Sequence, residues 1–201
     1  MQTCEYRNPE LSSCWGYHES DTQPLTTITV GGEFKKSLSD LAIIVDPRTW
    51  GKNQYGVHFS EVIRVADRDG NPASGPEPVL GQPWDGWIRE TLKDEDENEM
   101  INTLGVKLEA TPAGGVILEY WLGRTLSGSP RLERDFGSIE VTPVDDEWNR
   151  VTILKAVRFL PTAGGPGGNV GWGDLPNAVA PKVISDWLGD MFLMPCWNPN
   201  P

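Results

Sequence analysis

Residues 55–66 read Tyr-Gly-Val-His-Phe-Ser-Glu-Val-Ile-Arg-Val-Ala, and the odd-numbered side chains of this stretch are mostly apolar. A repeat of two residues is typical of a β-strand with one buried face. Asp69-Gly70, just beyond the stretch, is a favoured turn sequence. The same pattern, interrupted by Gly, Pro or Asp, predicts further strands at 25–30, 86–93, 102–110, 115–126, 133–144 and 148–160. These segments together indicate an antiparallel sheet.

Helical spacing of apolar residues occurs in two other segments. In residues 38–45, Ser37 is a candidate N-cap and Asp46-Pro47 a stop signal, and residues 48–50 are expected to begin a second short helix. Pro181 is well placed to start a C-terminal helix, whose apolar stripe consists of Val183, Ile184, Trp187, Leu188, Met191 and Phe192. The predicted fold class is therefore α+β: a curved antiparallel sheet wrapped around a C-terminal helix, with a short N-terminal helical pair.

The chain of 201 residues is long enough to bury one core, and no boundary between two domains stands out. We predict an irregular N-terminal extension at 1–25, a single domain at 26–193 and a tail at 194–201. Residues 71–85 are rich in Pro and Gly and predict a long loop, a feature that often serves as a lid. The Gly-rich segment 162–171 predicts a connector, since it lacks the Gly-Lys-Ser/Thr ending of a phosphate loop.

Charge argues against two classes of partner. The 29 acidic and 17 basic residues give a net charge of −12, which repels nucleic acid and anionic lipid headgroups. No apolar stretch reaches the length of a membrane span. The acidic run at 94–97 lacks the spaced ligands of an EF-hand loop and predicts a solvated hairpin tip.

The three cysteines give no sign of a disulfide framework or a metal site. Their number is odd and no secretory signal precedes them, so we expect a cytoplasmic protein. Cys4 and Cys14 with His18 lack the paired C-x-x-C spacing of zinc ligands. We therefore expect neither a metal ion nor another cofactor.

The order of these elements resembles a known superfamily. The helix at 38–45 runs into Asp46-Pro47-Arg48-Thr49-Trp50, Phe136–Val141 and Asn149–Leu154 form a candidate hairpin, and Val183–Phe192 follows. Over about residues 26–193 this pattern is similar to the START-like, or Bet v 1-like (SRPBCC), helix-grip superfamily. The resemblance implies a cavity between sheet and C-terminal helix that holds an apolar small molecule. Its members include lipid carriers, plant ligand binders, polyketide aromatases and cyclases, and chaperone-associated domains, so fold alone does not select a function.

Two charged residues interrupt apolar strand faces. Glu61 stands among Val57, Phe59, Ile63 and Val65. Lys155 stands among Val151, Ile153, Val157 and Phe159. A buried charge needs a partner, so either Glu61 pairs with Lys155 or one of them binds a polar group of a ligand. The alternative is that a β-bulge turns both residues towards solvent. In an enzyme, Glu61 with Lys155 would act as general acid or base.

The chain contains nine tryptophans. We expect Trp121, Trp148 and Trp187 to fill the core or the cavity wall, and Trp84 or Trp87, beside the long loop, to lie at the mouth of the cavity. The full set of expected ligand contacts is Phe59, Glu61, Ile63, Trp84, Trp87, Trp121, Ile153, Lys155, Trp187, Leu188 and Met191.

The first functional hypothesis is non-enzymatic binding or carriage of a hydrophobic small molecule or lipid. The alternatives are an enzyme of the aromatase/cyclase type and a protein-interaction module that uses the Trp-bearing loops.

Overall fold

The computed structural model describes residues 5–16, 25–46, 58–79, 82–93, 99–128 and 132–159. Within them lie one α-helix and a curved sheet of eight strands. In chain order the elements are β1 (Tyr6–Gly16), β2 (Leu25–Phe34), α1 (Leu38–Val45), β3 (His58–Ala66), β4 (Trp84–Lys93), β5 (Glu99–Ala110), β6 (Val116–Ser127), β7 (Leu132–Pro143) and β8 (Asn149–Phe159).

The sheet is antiparallel throughout and runs in the order β1-β2-β8-β7-β6-β5-β4-β3. Because β2 pairs with β8 while β3 forms the far edge, the connection from β2 to β3 must cross the width of the sheet. Helix α1 lies in this connection and packs on β6 and β7. The face that α1 covers is called the inner face here, and the opposite face is the outer face.

The inner face carries the hydrophobic core. One register row across the sheet joins Leu108, Leu118, Ile139, Ile153 and Val30, each opposite the next on the neighbouring strand. All five side chains are buried, and Leu41, Ile44 and Val45 of α1 belong to the same cluster. Burial of such side chains contributes about 1.5–3 kcal/mol each, so this layer is the main source of stability.

Helix α1 begins and ends where the sequence predicts. The Ser37 hydroxyl accepts a hydrogen bond from the Asp40 backbone N–H at 3.2 Å and donates to the Asp40 carboxylate at 2.8 Å. Ser37 therefore caps the helix, and the helix ends at Val45, immediately before Asp46-Pro47. At the start of β8, the Asn149 side chain donates to the Lys36 carbonyl at 2.6 Å and fixes the chain that enters the helix.

Strand β1 corrects the expectation that residues 1–25 are irregular. It occupies Tyr6–Gly16 and pairs with β2, with a register shift between Arg7 and Glu10. Asn8 within this shift adopts a left-handed φ of 51°, which asparagine tolerates better than most residues. Pro9 is accommodated because β1 is an edge strand, where a missing N–H breaks no inner ladder. The turn-forming dipeptide Asn-Pro thus forms a bulge within a strand.

The strands predicted between residues 25 and 160 are confirmed, with ends that shift by a few residues. The expected short helix at 48–50, the C-terminal helix at 181–192 and the connector at 162–171 lie outside the described residues. In the part of the chain that the structure describes, no helix has the length and apolar character needed to cross a membrane.

The cap of α1 can be tested by substitution. Ser37→Ala removes the acceptor for the Asp40 N–H and is expected to lower the free energy of unfolding by about 1 kcal/mol. Ser37→Asn keeps a capping oxygen and is the matched control, expected to stay within about 0.5 kcal/mol of wild type. Urea denaturation followed by circular dichroism measures both, and equal losses in the two variants would contradict the assignment.

Candidate functional site

Polar side chains gather at one end of the otherwise apolar inner face. They are Glu90, Asn102, Tyr120, Asp135 and Lys155, and they are called the polar cluster below. The sheet register places Asn102 opposite Glu90, and Gly137 opposite both Tyr120 and Lys155. Five neighbouring strands, β4 to β8, therefore contribute one residue each to a single site.

Lys155 lies at the centre of the polar cluster and is only 9% exposed. Its ammonium donates to both carboxylate oxygens of Asp135, at 2.7 and 2.8 Å, and to the Tyr120 hydroxyl at 3.3 Å. The same nitrogen lies 5.3 Å from the centroid of the Tyr120 ring. The buried ammonium is thus neutralised by a carboxylate on the adjacent strand, which is the condition under which burial of a charge is tolerated.

Gly137 makes the contact between Tyr120 and Lys155 possible. Tyr120 is on β6 and Lys155 on β8, so the tyrosine side chain must reach across β7. A Cβ atom at Gly137 would lie 2.8 Å from the Tyr120 hydroxyl and 2.1 Å from the Leu154 carbonyl oxygen. Only glycine leaves room for this arrangement.

Glu90 contacts Asn102 within the polar cluster, and the charges of Asp135 and Lys155 act on its carboxylate. The Thr125 hydroxyl donates to the Asn102 carbonyl oxygen at 2.9 Å, and the Asn102 amide nitrogen lies 3.5 Å from the Glu90 carboxylate. Burial, followed by the charge of Asp135, raises the pKa of Glu90 to about 7, against the opposing effects of Lys155 and Asn102. Burial and the two nearby carboxylates also raise the pKa of Tyr120, so its phenol remains protonated.

The polar cluster has groups that can hydrogen-bond a polar group of a ligand and groups that can exchange a proton with it. Near neutral pH, Glu90 exchanges a proton readily, while Asp135 and Lys155 neutralise each other. The phenol of Tyr120 can donate or accept a hydrogen bond. A polar group of a ligand, or a proton in transfer, would find complementary partners here.

The structure places Lys155 and Ile153 on the buried inner face, as the alternation of β8 predicts. The carboxylate that holds Lys155 is Asp135. The backbone of Glu61 lies opposite Thr91 between two register shifts, and its side chain, like those of Phe59 and Ile63, lies outside the described residues. The roles predicted for these three residues therefore stay predictions.

The tryptophans are divided between the two faces. Trp84 packs against the hydrophobic core. Trp87 on β4 and Trp121 on β6 both pair with Gly105 of the strand between them. Each is next in sequence to a residue of the inner face, Ile88 or Tyr120, and therefore lies on the outer face. Trp187, Leu188 and Met191 lie outside the described residues.

The sequence interpretation missed Glu90 and Asp135, although the signal that identified Lys155 was present for both. Asp135 precedes Gly137, Ile139 and Val141 on one alternating face, and Glu90 follows Ile88 in the same way. Tyr120 carries no such signal, because a tyrosine on an apolar face is ordinary.

The raised pKa of Glu90 predicts a pH-dependent stability. Between about pH 4.5 and 7 the folded protein retains a proton that the unfolded chain releases, so stability falls as the pH rises through this window. Glu90→Gln removes the ionisation and is expected to be about 1–3 kcal/mol more stable than wild type near pH 8, with little difference below pH 5. Glu119→Gln, at an exposed position on β6, is the control. Parallel pH profiles of wild type and Glu90→Gln in urea denaturation would refute the assignment.

Comparison with known proteins shows likeness in fold alone. No family model matches the chain, and no curated protein matches it. Among solved structures, a START superfamily protein from Mycobacterium smegmatis superposes with a TM-score of 0.50 at 12% identity, covering 83% of this chain and 91% of that one. Human STARD10 gives a TM-score of 0.50 at 11% identity, covering 97% and 74%. The di-domain ARO/CYC BexL from the BE-7585A biosynthetic pathway gives 0.51 at 12%, covering 87% and 51%. The chain therefore has a START-like fold, as its sequence pattern predicts.

Proposed function

We propose that this protein binds a hydrophobic small molecule or lipid on the inner face of its sheet. The observation that carries the proposal is the polar cluster, a set of hydrogen-bonding groups at one end of an apolar surface. Ligand sites are typically apolar surfaces with a few convergent polar groups that fix the orientation of the ligand. The START-like fold supports the same conclusion.

The arrangement favours a ligand with one polar end. The hydrocarbon part would contact the apolar rows of β5–β8, and the polar end would reach Tyr120 or Glu90. A ligand of pure hydrocarbon would place no polar group beside the Glu90 carboxylate, whose charged form burial already disfavours.

Neighbouring residues on β6 provide a matched test of the binding face. Tyr120→Phe removes a hydroxyl from the inner face, whereas Trp121→Phe alters the outer face. We expect 1-aminoanthracene, an apolar fluorophore with one amine, to bind wild type, to bind Tyr120→Phe about tenfold more weakly and to bind Trp121→Phe unchanged. Titration by fluorescence measures all three affinities.

Native mass spectrometry before and after solvent extraction would reveal a co-purified ligand. A protein that carries no extractable compound and has no affinity for the fluorophore would refute the proposal. Equal losses in Tyr120→Phe and Trp121→Phe would place the binding site elsewhere.

The loop between β3 and β4 is tied to the core through Trp84. Its indole N–H donates to the Pro76 carbonyl at 2.8 Å, and the Ala73 N–H donates to the Val65 carbonyl at 3.1 Å. Pro78 is buried, although most of its neighbours in the loop are exposed. A proline-rich segment that is tied to the core through one tryptophan suits a lid that opens as a unit.

We therefore expect Trp84→Phe to loosen this lid by removing the hydrogen bond to Pro76. The association and dissociation rates of 1-aminoanthracene in stopped-flow measurements should both rise severalfold, with a small change in affinity. Trp87→Phe, on the outer face, should leave both rates unchanged. If neither variant alters the rates, the loop does not gate the site.

An enzyme of the aromatase/cyclase type is the second candidate, favoured by the near-neutral pKa of Glu90 beside Asp135 and Lys155. A group that titrates near the working pH is suited to general acid–base catalysis. Mass spectrometry of a bound compound over time separates the two functions. A change in its mass that Glu90→Gln abolishes would favour the enzyme, and recovery of the unchanged compound would favour carriage.

A further inference from the structure

The outer face carries a row of aromatic residues that the proposed ligand site does not use. Trp87, Trp121 and Phe136 lie in one register row across β4, β6 and β7, with Gly105 of β5 between the two tryptophans. These three residues are called the aromatic stripe. Trp121 is 37% exposed and Phe136 is 39% exposed, which is unusual for large apolar side chains in the middle of a sheet.

Two glycines leave room for the two tryptophans of the aromatic stripe. A Cβ atom at Gly105 would lie 2.1 Å from the Trp121 ring, and one at Gly123 would lie 2.6 Å from the Trp87 ring. The two indoles meet edge to face, with centroids 5.9 Å apart and planes at 80°. The stripe is therefore a preorganised surface, and its rings would lose little conformational entropy on contact with a partner.

A row of arginines runs beside the aromatic stripe, on one side of it. Arg89 follows Trp87 by two residues on β4, and Arg124 follows Trp121 by three residues on β6. On β7, which runs in the opposite direction, Arg134 precedes Phe136 by two residues. The register also places Arg158, which is buried, opposite Arg134. Like charges placed directly opposite each other reduce sheet stability. Such a row in a chain of net charge −12 is a local reversal of charge.

Among the described residues, ion pairs join this row to two carboxylates. Arg124 contacts Asp69 at 3.3 Å, and Arg158 contacts Glu133 at 3.8 Å. Arg124 and Asp69 are both exposed, so their ion pair is weak and can be exchanged for another, whereas Arg158 is buried. Arg134 is exposed beside Phe136, and Arg68 lies with its guanidinium 6.0 Å from the Trp87 ring centroid.

We infer that the aromatic stripe and the arginine row together dock an acidic protein segment that also carries apolar side chains. Arginine pairs with carboxylates through two parallel hydrogen bonds, and tryptophan with arginine is the composition typical of interface hot spots. Nucleic acid and anionic membranes are disfavoured as occupants, because an extended polyanion meets the whole net charge of −12, whereas a short acidic segment meets mainly the nearby arginines. A membrane on the outer face would also be separated by the sheet from a ligand on the inner face.

The test uses a fluorescein-labelled peptide of alternating Glu and Leu residues, with Gln/Leu and Glu/Ser peptides as matched probes. Fluorescence anisotropy should show binding of the Glu/Leu peptide, weaker at high salt, and little binding of the other two. Arg134→Gln and Phe136→Thr should each reduce the affinity about tenfold. Lys107→Gln removes an equal charge on the same face, on the other side of the stripe, and should leave the affinity unchanged.

Several outcomes would overturn the inference. They are equal binding of the Gln/Leu peptide, an equal loss of affinity in Lys107→Gln, or the absence of binding to any peptide by a folded protein. Displacement of the peptide by oligothymidylate or by phosphatidylserine vesicles at lower concentration would assign the face to nucleic acid or membrane instead. Self-association in sedimentation that Phe136→Thr abolishes would make the occupant a second copy of the chain. Binding of 1-aminoanthracene in Arg134→Gln should equal that of wild type, so this inference can fail while the proposed ligand site stands.

Discussion

The ion pair between Lys155 and Asp135 is the constraint on which the arrangement of both faces depends. An unpaired ammonium on the inner face would cost several kcal/mol. Asp135 neutralises it only in the observed pairing of β7 with β8, in which Gly137 lies opposite Lys155. A slip of one residue would carry Asp135 to the outer face and leave the charge of Lys155 buried without it. The ion pair therefore specifies register as well as contributing to the site.

The same register sets the chemistry of the outer face, because Asp135 lies between Arg134 and Phe136 in sequence. Alternation along β7 directs the carboxylate inward and its two neighbours outward. Arg134-Asp135-Phe136 thus contributes to the polar cluster, the arginine row and the aromatic stripe at once. Glycine plays a matching role on each face: Gly137 provides space for Tyr120 on the inner one, and Gly105 provides space for Trp121 on the outer one.

Much of the fold could be predicted from the sequence, since a repeat of two residues bounded by turn signals is a local property. The cap at Ser37 and the stop at Asp46-Pro47 are local in the same sense, and both are confirmed. Strand β1 was missed because its pairing depends on β2, and because Asn8-Pro9 forms a bulge that resembles a turn. Local propensity cannot distinguish a turn from a bulge on an edge strand.

The candidate site was harder to predict, because partners across a sheet are set by register. Alternation identified Lys155 as a charge on a buried face, and burial confirms this placement. It could not choose among acidic partners, since Glu61, Glu90 and Asp135 all interrupt apolar patterns in the sequence. Which carboxylate meets Lys155 depends on the strand order, and β7 is its neighbour while β3 is at the far edge.

Neighbouring side chains of β7 point to opposite faces of the sheet, and the two proposed surfaces can therefore be tested separately. Phe136→Thr leaves the Asp135 carboxylate and its bonds to Lys155 in place, because the substituted side chain lies on the other face. Tyr120→Phe likewise leaves the ring of Trp121 on Gly105. Coupling between the faces would require a displacement of β7 itself, and the buried ion pair opposes that displacement more strongly than any exposed contact on the outer face. Each face therefore reports on its own partner.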